Sequence, residues 1–595
     1  MRVAEDYLRL RMACPGRQDG KPFAISMEEI ANALYCTPRN AKLIVKKWVE
    51  LEWVRFVPGR GRGHTSELAF LMDSAALVLR EAQERAKEGD VQGAFEWLKT
   101  NEPLVSVRPQ FLEWLIAYFG YKTDQTQGER VVETLRLPIY REIVSLDPAN
   151  AFYSFDTHLV HQLFSRLVEY DAAASAYTKG LAYHWESNED ATEWTFYLYK
   201  GVLFHDGQEL TAEDVRASLA RLRNDPSMHG WLTDHIHSVE ARSRYTVSMK
   251  LSKPNRRFLW YMSHSAASIV PSSYPSEPAG AQVPVGSGPY RVTDRRKGKV
   301  VLEKFSSYYG LSGIIDRIEI IIVPENEAEA CFGTSPGVLT VVTGEFTVPV
   351  IPDYPLEQTV TGVETLVFNL RKGGVLQSPL FRRALVYGVD RKRMVGELGE
   401  PRAYPAAGFH MERAASAGDL MFRPDDAAES LRQSGYDGQA LQLYTFARHV
   451  PDAEWLKRQY ASIGVRVDVH IVPWAELIEP STQEAADMIL FEAVLSEGPG
   501  RMLEYLQSDS KFVRGALSEA IIRDIDDATN RLLADPSEQA EQRWKAAIDC
   551  ILQESFASVF LVTKTVRTIY HPSLQGVRIN TKGWVDFQTI WFKEA

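Results

Sequence analysis

Between Thr37 and Lys47 the sequence sets out five side chains suited to one kind of chemistry, the recognition of a polyanion that carries hydrogen-bonding edges. Arg39 can give two parallel N–H bonds to guanine, and Asn40 can pair in the same bidentate way with adenine. Lys42, Lys46 and Lys47 are point charges suited to phosphate oxygens. A second set follows in Gly59-Arg60-Gly61-Arg62-Gly63-His64. Glycine lets a chain turn sharply and come close to a phosphate, and Arg60, Arg62 and His64 at such a tip can reach a sugar-phosphate backbone or a minor groove. A solvated lysine face and a plain hairpin would carry the same residues, so the weight rests on the two sets occurring in succession.

The elements that must position them are legible. Val3, Tyr7 and Leu10 fall at i, i+4 and i+7 and predict a short amphipathic helix over residues 3–12, followed by a loop from Cys14 to Pro22. Ser26 and Glu29 form an S-x-x-E capping box that opens a second helix running to about Tyr35. Thr37 is placed to cap a third helix with Pro38 at its first position. Along it Ala41, Ile44, Val45 and Trp48 form an inner face, and Arg39, Lys42, Leu43 and Lys46 lie opposite. Strands from Trp53 to Pro58 and from Ser66 to Leu71 flank the glycine-arginine tip. Residues 1–72 therefore read as a winged helix-turn-helix, with the third helix as the one that enters a major groove of double-stranded DNA. Residues 73–130 read as a helical connector, with Leu77, Leu79, Phe95, Leu98, Leu112, Leu115 and Ile116 inward.

The bulk numbers agree. A length of 595 residues implies several compact units. The net charge of −11 speaks against a protein that coats nucleic acid, but residues 1–72 hold 12 Lys and Arg against 8 Asp and Glu, so the surplus of negative charge lies further on. Glu5, Asp6, Arg9 and Arg11 interrupt any apolar leader at the start, and the apolar runs are too short to span a membrane. Cys14, Cys36, Cys331 and Cys550 are scattered, which suggests neither a zinc site nor a disulfide framework. A cytoplasmic location, with no membrane partner, is expected.

From Val144-Ser145-Leu146-Asp147-Pro148 onward, strands alternate with helices in an α/β pattern. Its phrases include Gly201-Val202-Leu203-Phe204-His205-Asp206-Gly207, a helix opened by Thr211 with Asp214, Val285-Gly286-Ser287-Gly288-Pro289-Tyr290, Tyr308-Tyr309-Gly310, Phe368-Asn369, Arg382-Arg383-Ala384-Leu385, Ile463-Gly464-Val465 and Gly583-Trp584. In this order they resemble the bacterial solute-binding proteins of family 5. With the winged helix in front, the whole chain resembles the SgrR family of regulators.

The resemblance implies a multidomain chain: a winged-helix DNA-binding domain and an α/β two-lobed domain of the periplasmic-binding-protein type 2. Residues 131–595 form that second domain, with lobe I at about 131–365 plus 556–595 and lobe II at about 366–555. Between the lobes it implies a cleft for a small-molecule effector. Tyr153, Trp474 and Trp584 offer flat faces suited to sugars or apolar groups, and Asn369 and Trp584 stand in segments that resemble cleft-facing ones. Peptide-binding members commonly carry an aspartate some residues after the position of Asp487. Here the segment reads Glu492-Ala493-Val494-Leu495-Ser496-Glu497, so either Glu497 substitutes or the ligand has no amine.

The sequence has no Walker loop and no H-E-x-x-H. Asp234-His235-Ile236-His237 could offer two imidazoles to a metal, but surface or structural histidines account for it more simply. Gly286-Ser287-Gly288 lacks an identifiable base and reads as a structural turn. The expectation is a ligand-responsive DNA-binding regulator that is not an enzyme and needs no cofactor or metal. The ligand (a sugar, sugar phosphate or short peptide), the operator and the oligomeric state stay open. Its rivals are a transporter-associated binding protein and a hydrolase using the same cleft.

Overall fold

The computed structural model describes residues 2–59, 65–125, 131–140, 142–172, 174–224, 228–275, 283–332, 341–344, 353–409, 422–494, 502–508 and 512–593. The chain divides into two compact units: residues 1–142 with 294–301 and 317–340, and residues 143–293 with 302–316 and 341–595.

The first unit begins with α1 (Arg2–Ala13), β1 (Phe23–Ile25), α2 (Met27–Ala33) and α3 (Pro38–Glu50), then β2 (Val54–Val57) and β3 (Ser66–Phe70). Tyr7 is the centre of its core. Its ring makes edge contacts with Trp48, Trp53 and Phe70 at 5.8, 5.6 and 5.6 Å, and its hydroxyl donates to the Met72 carbonyl at 2.7 Å. Trp48 closes the other side by donating its indole N–H to the Val3 carbonyl at 3.1 Å. The expected caps form: the Glu29 and Ser26 side chains satisfy each other's backbone N–H, and Thr37 accepts from the Asn40 amide at 3.3 Å.

Two features depart from expectation. Helix α2 ends at Ala33, because Tyr35 adopts a left-handed conformation with φ of 48° at the turn into α3. A third strand, β1, pairs antiparallel with β3 and gives the order β1-β3-β2. At three residues β1 is too short for periodicity to separate it from the loop before it.

Helices α4 (Ser74–Lys87), α5 (Val91–Asn101) and α6 (Arg108–Tyr118) follow, the first two capped by Asp73 and Asp90. The inward face of α6 is turned by one residue from the expected one. Phe111 and Leu115 are buried while Leu112 and Ile116 stay half-exposed, because an edge contact of 5.4 Å between Phe95 and Phe111 sets the helix rotation. Leu79 is likewise half-exposed beside buried Leu77 and Val78. Beyond α6, β4 (Gly120–Gln125) pairs antiparallel with β5 (Val131–Ile139), so residue 130 falls between two paired strands. The strand Arg317–Ile322 joins β5 in parallel.

The second unit contains α7 (Ser154–Leu163) and a four-stranded antiparallel sheet in the order Ile236–Ser243, Thr246–Leu251, Glu193–Leu198, Ala182–Ser187. Its seven-stranded sheet is organised around two strands of 13 residues, Leu356–Phe368 and Ser558–Tyr570, which pair antiparallel over most of their length. Met488–Val494 pairs beside the first of them, followed in parallel by Leu441–Thr445 and Val467–Ile471. The Gly286-Ser287-Gly288 segment is structural. A Cβ at Gly286 would stand 2.0 Å from the Leu163 carbonyl oxygen and one at Gly288 2.5 Å from that of Gln162, so only glycine lets this segment press against the end of α7.

Candidate functional site

Helix α3 presents Arg39, Asn40, Lys42, Lys46 and Lys47 on its exposed side and buries Ala41, Val45 and Trp48. Lys46 lies 3.7 Å from Glu50, a solvent-exposed pair that holds little energy and can open to a phosphate. Arg60, Arg62 and His64 lie outside the described residues, as does Glu497.

In the second unit three of the five expected ligand contacts come together at the start of α7. The Trp474 ring stacks on Phe152 at 4.6 Å and meets Tyr153 at 5.7 Å. Phe446 and Phe512 pack edge-on against it at 5.3 and 5.5 Å. Residues assigned to lobe I thus touch residues assigned to lobe II through one indole. Trp584 donates its indole N–H to Ser154 Oγ at 2.9 Å and tilts against Phe155 at 4.5 Å.

Ser154, Thr157, His158 and His161 share one face of α7 by their spacing. Thr157 Oγ1 accepts from Lys582 Nζ at 2.6 Å, and the Asn580 amide nitrogen lies 3.4 Å from His158 Nδ1. Burial, then the Lys582 charge, pushes the His158 imidazole down to about 3. Burial also holds His161 well below the usual range, with Arg166 and Lys582 adding to it, although part of its surface stays exposed. Aromatic faces, hydroxyls and neutral imidazoles around a fixed ammonium can bind a compact polar molecule with one apolar side.

Asn369 leaves the set of ligand contacts. Its amide nitrogen donates to the Gln483 and Ala486 carbonyls, both at 3.0 Å, and its oxygen accepts from the Arg371 and Lys372 amides at 3.1 and 3.3 Å. All four hydrogen-bonding positions of the side chain are occupied by backbone.

The sequence reading missed a buried ionic network on the long paired strands. Glu364 and Glu492 sit directly opposite each other on neighbouring strands, an arrangement that repels unless cations intervene. Lys564 Nζ lies 2.7 Å from Glu364 and 3.4 Å from Asp452. Arg402 grips Asp452 through two bonds of 2.7 and 2.6 Å, and Arg448 meets Glu492 at 3.0 Å. His449 Nδ1 is 2.8 Å from Glu364.

Burial raises the Glu364 carboxyl despite Lys564. For Glu492 burial acts in the same sense, but Arg448 and Lys564 outweigh it and draw the group down to about 2. Glu364, His449 and Asp452 have the spacing of a metal trio, and the Lys564 ammonium supplies the positive charge among them. The available signal was a Glu inside Gly362-Val363-Glu364-Thr365-Leu366 and a Lys inside Val562-Thr563-Lys564-Thr565-Val566, each a single charge among uncharged neighbours.

His229, His264 and Glu504 form a second trio of this kind. There His264 Nδ1 accepts the Ala266 amide at 3.1 Å, which in the neutral ring leaves the proton on the nitrogen facing Glu504. That tautomer favours a hydrogen bond over metal ligation. His235 is half-buried, and burial lowers its imidazole.

One pH prediction follows from α7. His158 is neutral in the folded chain down to about pH 3, whereas an unfolded histidine takes up a proton near pH 6.5. The unfolded state therefore binds more protons in that window, and stability is lost as pH falls from about 6.5 toward 3. Urea midpoints of wild type and His158→Gln measured from pH 7.5 to 4.5 should converge as the pH falls, and parallel curves would contradict it.

Comparison with solved structures defines the class. The chain is similar to the ABC transporter-associated periplasmic binding protein DppA from Helicobacter pylori, solved with the peptide STSA (TM-score 0.68, 19% identity, 78% of this chain and 98% of that one). It is also similar to NikA from Brucella suis in complex with Fe(III)-EDTA (TM-score 0.62, 22% identity, 77% of this chain and 100% of that one). The long region thus has the fold of the periplasmic binding proteins. The sequence profile of the bacterial extracellular solute-binding proteins, family 5 (middle), matches residues 176–511, and that of the sugar transport-related sRNA regulator N-terminal domain matches residues 2–113.

Relatives that match from end to end include the Bacillus subtilis protein YhjP, 29% identical over 606 residues and 100% of both chains, and the HTH-type transcriptional regulator SgrR of Yersinia enterocolitica, 25% identical over 597 residues, 99% of this chain and 98% of that one. The chain belongs to the SgrR family, in which this N-terminal domain precedes a family 5 solute-binding domain.

Proposed function

We propose that this chain is a transcription regulator in which the N-terminal unit holds an operator duplex and a cleft in the second unit senses a small solute. The observation that carries the reading is that one polypeptide combines the exposed Arg39-Asn40-Lys42-Lys46-Lys47 face of α3 with the cluster of aromatic and polar side chains at α7. The regulator name borne by the Yersinia relative, which matches along nearly the whole chain, supports it. Arg39 and Asn40 contact base edges, and Lys42, Lys46, Lys47, Arg60, Arg62 and His64 contact phosphates. Tyr153, Trp474 and Trp584 contact the solute, a sugar, sugar phosphate or short peptide, with Glu497 held as the partner of an amine should the solute carry one. No reaction is assigned to the cleft, and the setting is cytoplasmic. Among the described residues no helix is long and apolar enough to cross a membrane. The fold of the long region alone would equally suit a transporter-associated binding protein, and the α3 face is the feature that favours the regulator.

Solute binding closes the two lobes by a hinge motion, and closure alters DNA affinity. A solute shifts this equilibrium only through its different affinity for the two forms, so a switch of about 1–3 kcal/mol requires about 5- to 150-fold discrimination. By linkage, operator DNA changes solute affinity by the same factor. Small molecules retained by the native protein, identified by mass spectrometry, should bind with a different Kd when the selected duplex is present. Equal values would refute the coupling.

A further inference from the structure

In the middle of the α3 face stands a side chain that the packing of its own unit does not explain. Leu43 exposes 61% of its surface, while Ala41, Val45 and Trp48 on the other side of the helix are buried. The helix does not need a leucine here, since lysine, arginine or glutamate would serve its propensity nearly as well, and an exposed leucine forgoes the gain of burial.

Its neighbours describe what covers it. Arg39 and Asn40 lie one turn before it, Lys42 beside it, and Lys46 and Lys47 one turn after, all exposed. An apolar side chain ringed by cations fits a surface whose rims are anionic and whose floor carries an apolar group. The major groove of duplex DNA has this character, with phosphates along both edges and the thymine C5-methyl on its floor.

We propose that Leu43 packs against a thymine methyl in the major groove and is a specificity-determining residue of α3; this rests on the reading that α3 holds DNA. At a rise of about 1.5 Å per residue, Leu43 stands about 4.5–6 Å along the helix from Asn40 and Arg39. With base pairs about 3.4 Å apart, the thymine lies one or two base pairs from the pair that Arg39 and Asn40 read.

The test uses the full chain and duplexes that the wild-type protein selects from a random-sequence pool. Each thymine is replaced in turn by uracil, which keeps the pairing and removes only the methyl. Wild-type affinity should fall about fourfold, the worth of one buried methyl, at a thymine within two base pairs of the position where Arg39→Ala relaxes preference. Leu43→Ala should bind the thymine and uracil duplexes equally and keep the wild-type salt dependence. The proposal is overturned if the wild type ignores every uracil replacement, or if Leu43→Ala stays as sensitive as wild type. It is also overturned if Leu43→Ala leaves duplex binding intact and abolishes self-association in sedimentation, which would make a second copy the occupant of this face. Failure to select any preferred duplex would overturn the DNA reading itself, and this proposal with it. Selected duplexes that tolerate uracil everywhere would remove only the role of Leu43.

Discussion

Lys564→Met is expected to lower the stability of the second unit by about 3–5 kcal/mol, the cost of leaving a buried charge without its partner. The ammonium serves Glu364 at 2.7 Å and Asp452 at 3.4 Å, and both carboxylates are fully buried. Arg402 still holds Asp452 after the substitution, so the deficit falls on Glu364, which already faces Glu492 across the strand pair. Two consequences separate this account from a simple packing defect. Adding Glu364→Gln to Lys564→Met should restore much of the loss, because the uncompensated charge is then gone. The gap between wild type and Lys564→Met should also narrow as pH falls from 7 toward 5. Burial raises the Glu364 carboxyl, and without the ammonium it takes up a proton in the folded state more readily than in the unfolded one. Urea unfolding followed by hydrogen exchange of strands Leu356–Phe368 and Ser558–Tyr570 measures both. A double variant no more stable than the single one would sink the charge argument.

Trp474→Ala should have the second largest effect, and on the opening of the cleft rather than on global unfolding. The indole is half-buried and is the common contact of Phe152 and Tyr153 on one side and of Phe446 and Phe512 on the other. Aromatic pairs contribute about 0.5–1.5 kcal/mol each beyond the area they bury, so the loss of the pairs to Phe152 and Tyr153 shifts the balance toward separation of the two sides by about 1–3 kcal/mol. Amide exchange in the full chain should therefore rise by roughly 5- to 150-fold at residues 152–158 and 446–449, with little change in the sheet around Glu193–Leu198. Retention of small molecules through native mass spectrometry should fall as well. Uniform acceleration over the whole unit would point instead to general destabilisation.

How far the sequence could be read depended on the range of the interactions involved. The winged-helix elements were legible because caps and helical faces are local: Thr37, Pro38 and Asn40 interact within one turn, and an amphipathic stripe needs only its own period. Asn369 shows the limit. Its segment resembles a cleft-facing one, but whether an amide faces a ligand or a backbone depends on Gln483 and Ala486, more than a hundred residues away. Strand β1 escaped because three residues carry too little periodicity, and the face of α6 was displaced by a contact with Phe95 that spacing does not reveal.

The residues alone determined that a cationic helix precedes a long α/β region, since charge, capping and the alternation of apolar positions are properties of neighbouring residues. Tertiary structure decided which aromatic groups meet at Trp474, that His158 stays neutral, and that Glu364, Asp452 and Lys564 share one buried site. Those outcomes depend on desolvation and on contacts between distant strands. A side chain's charge state and partners follow from what surrounds it, and only the folded chain brings those surroundings together.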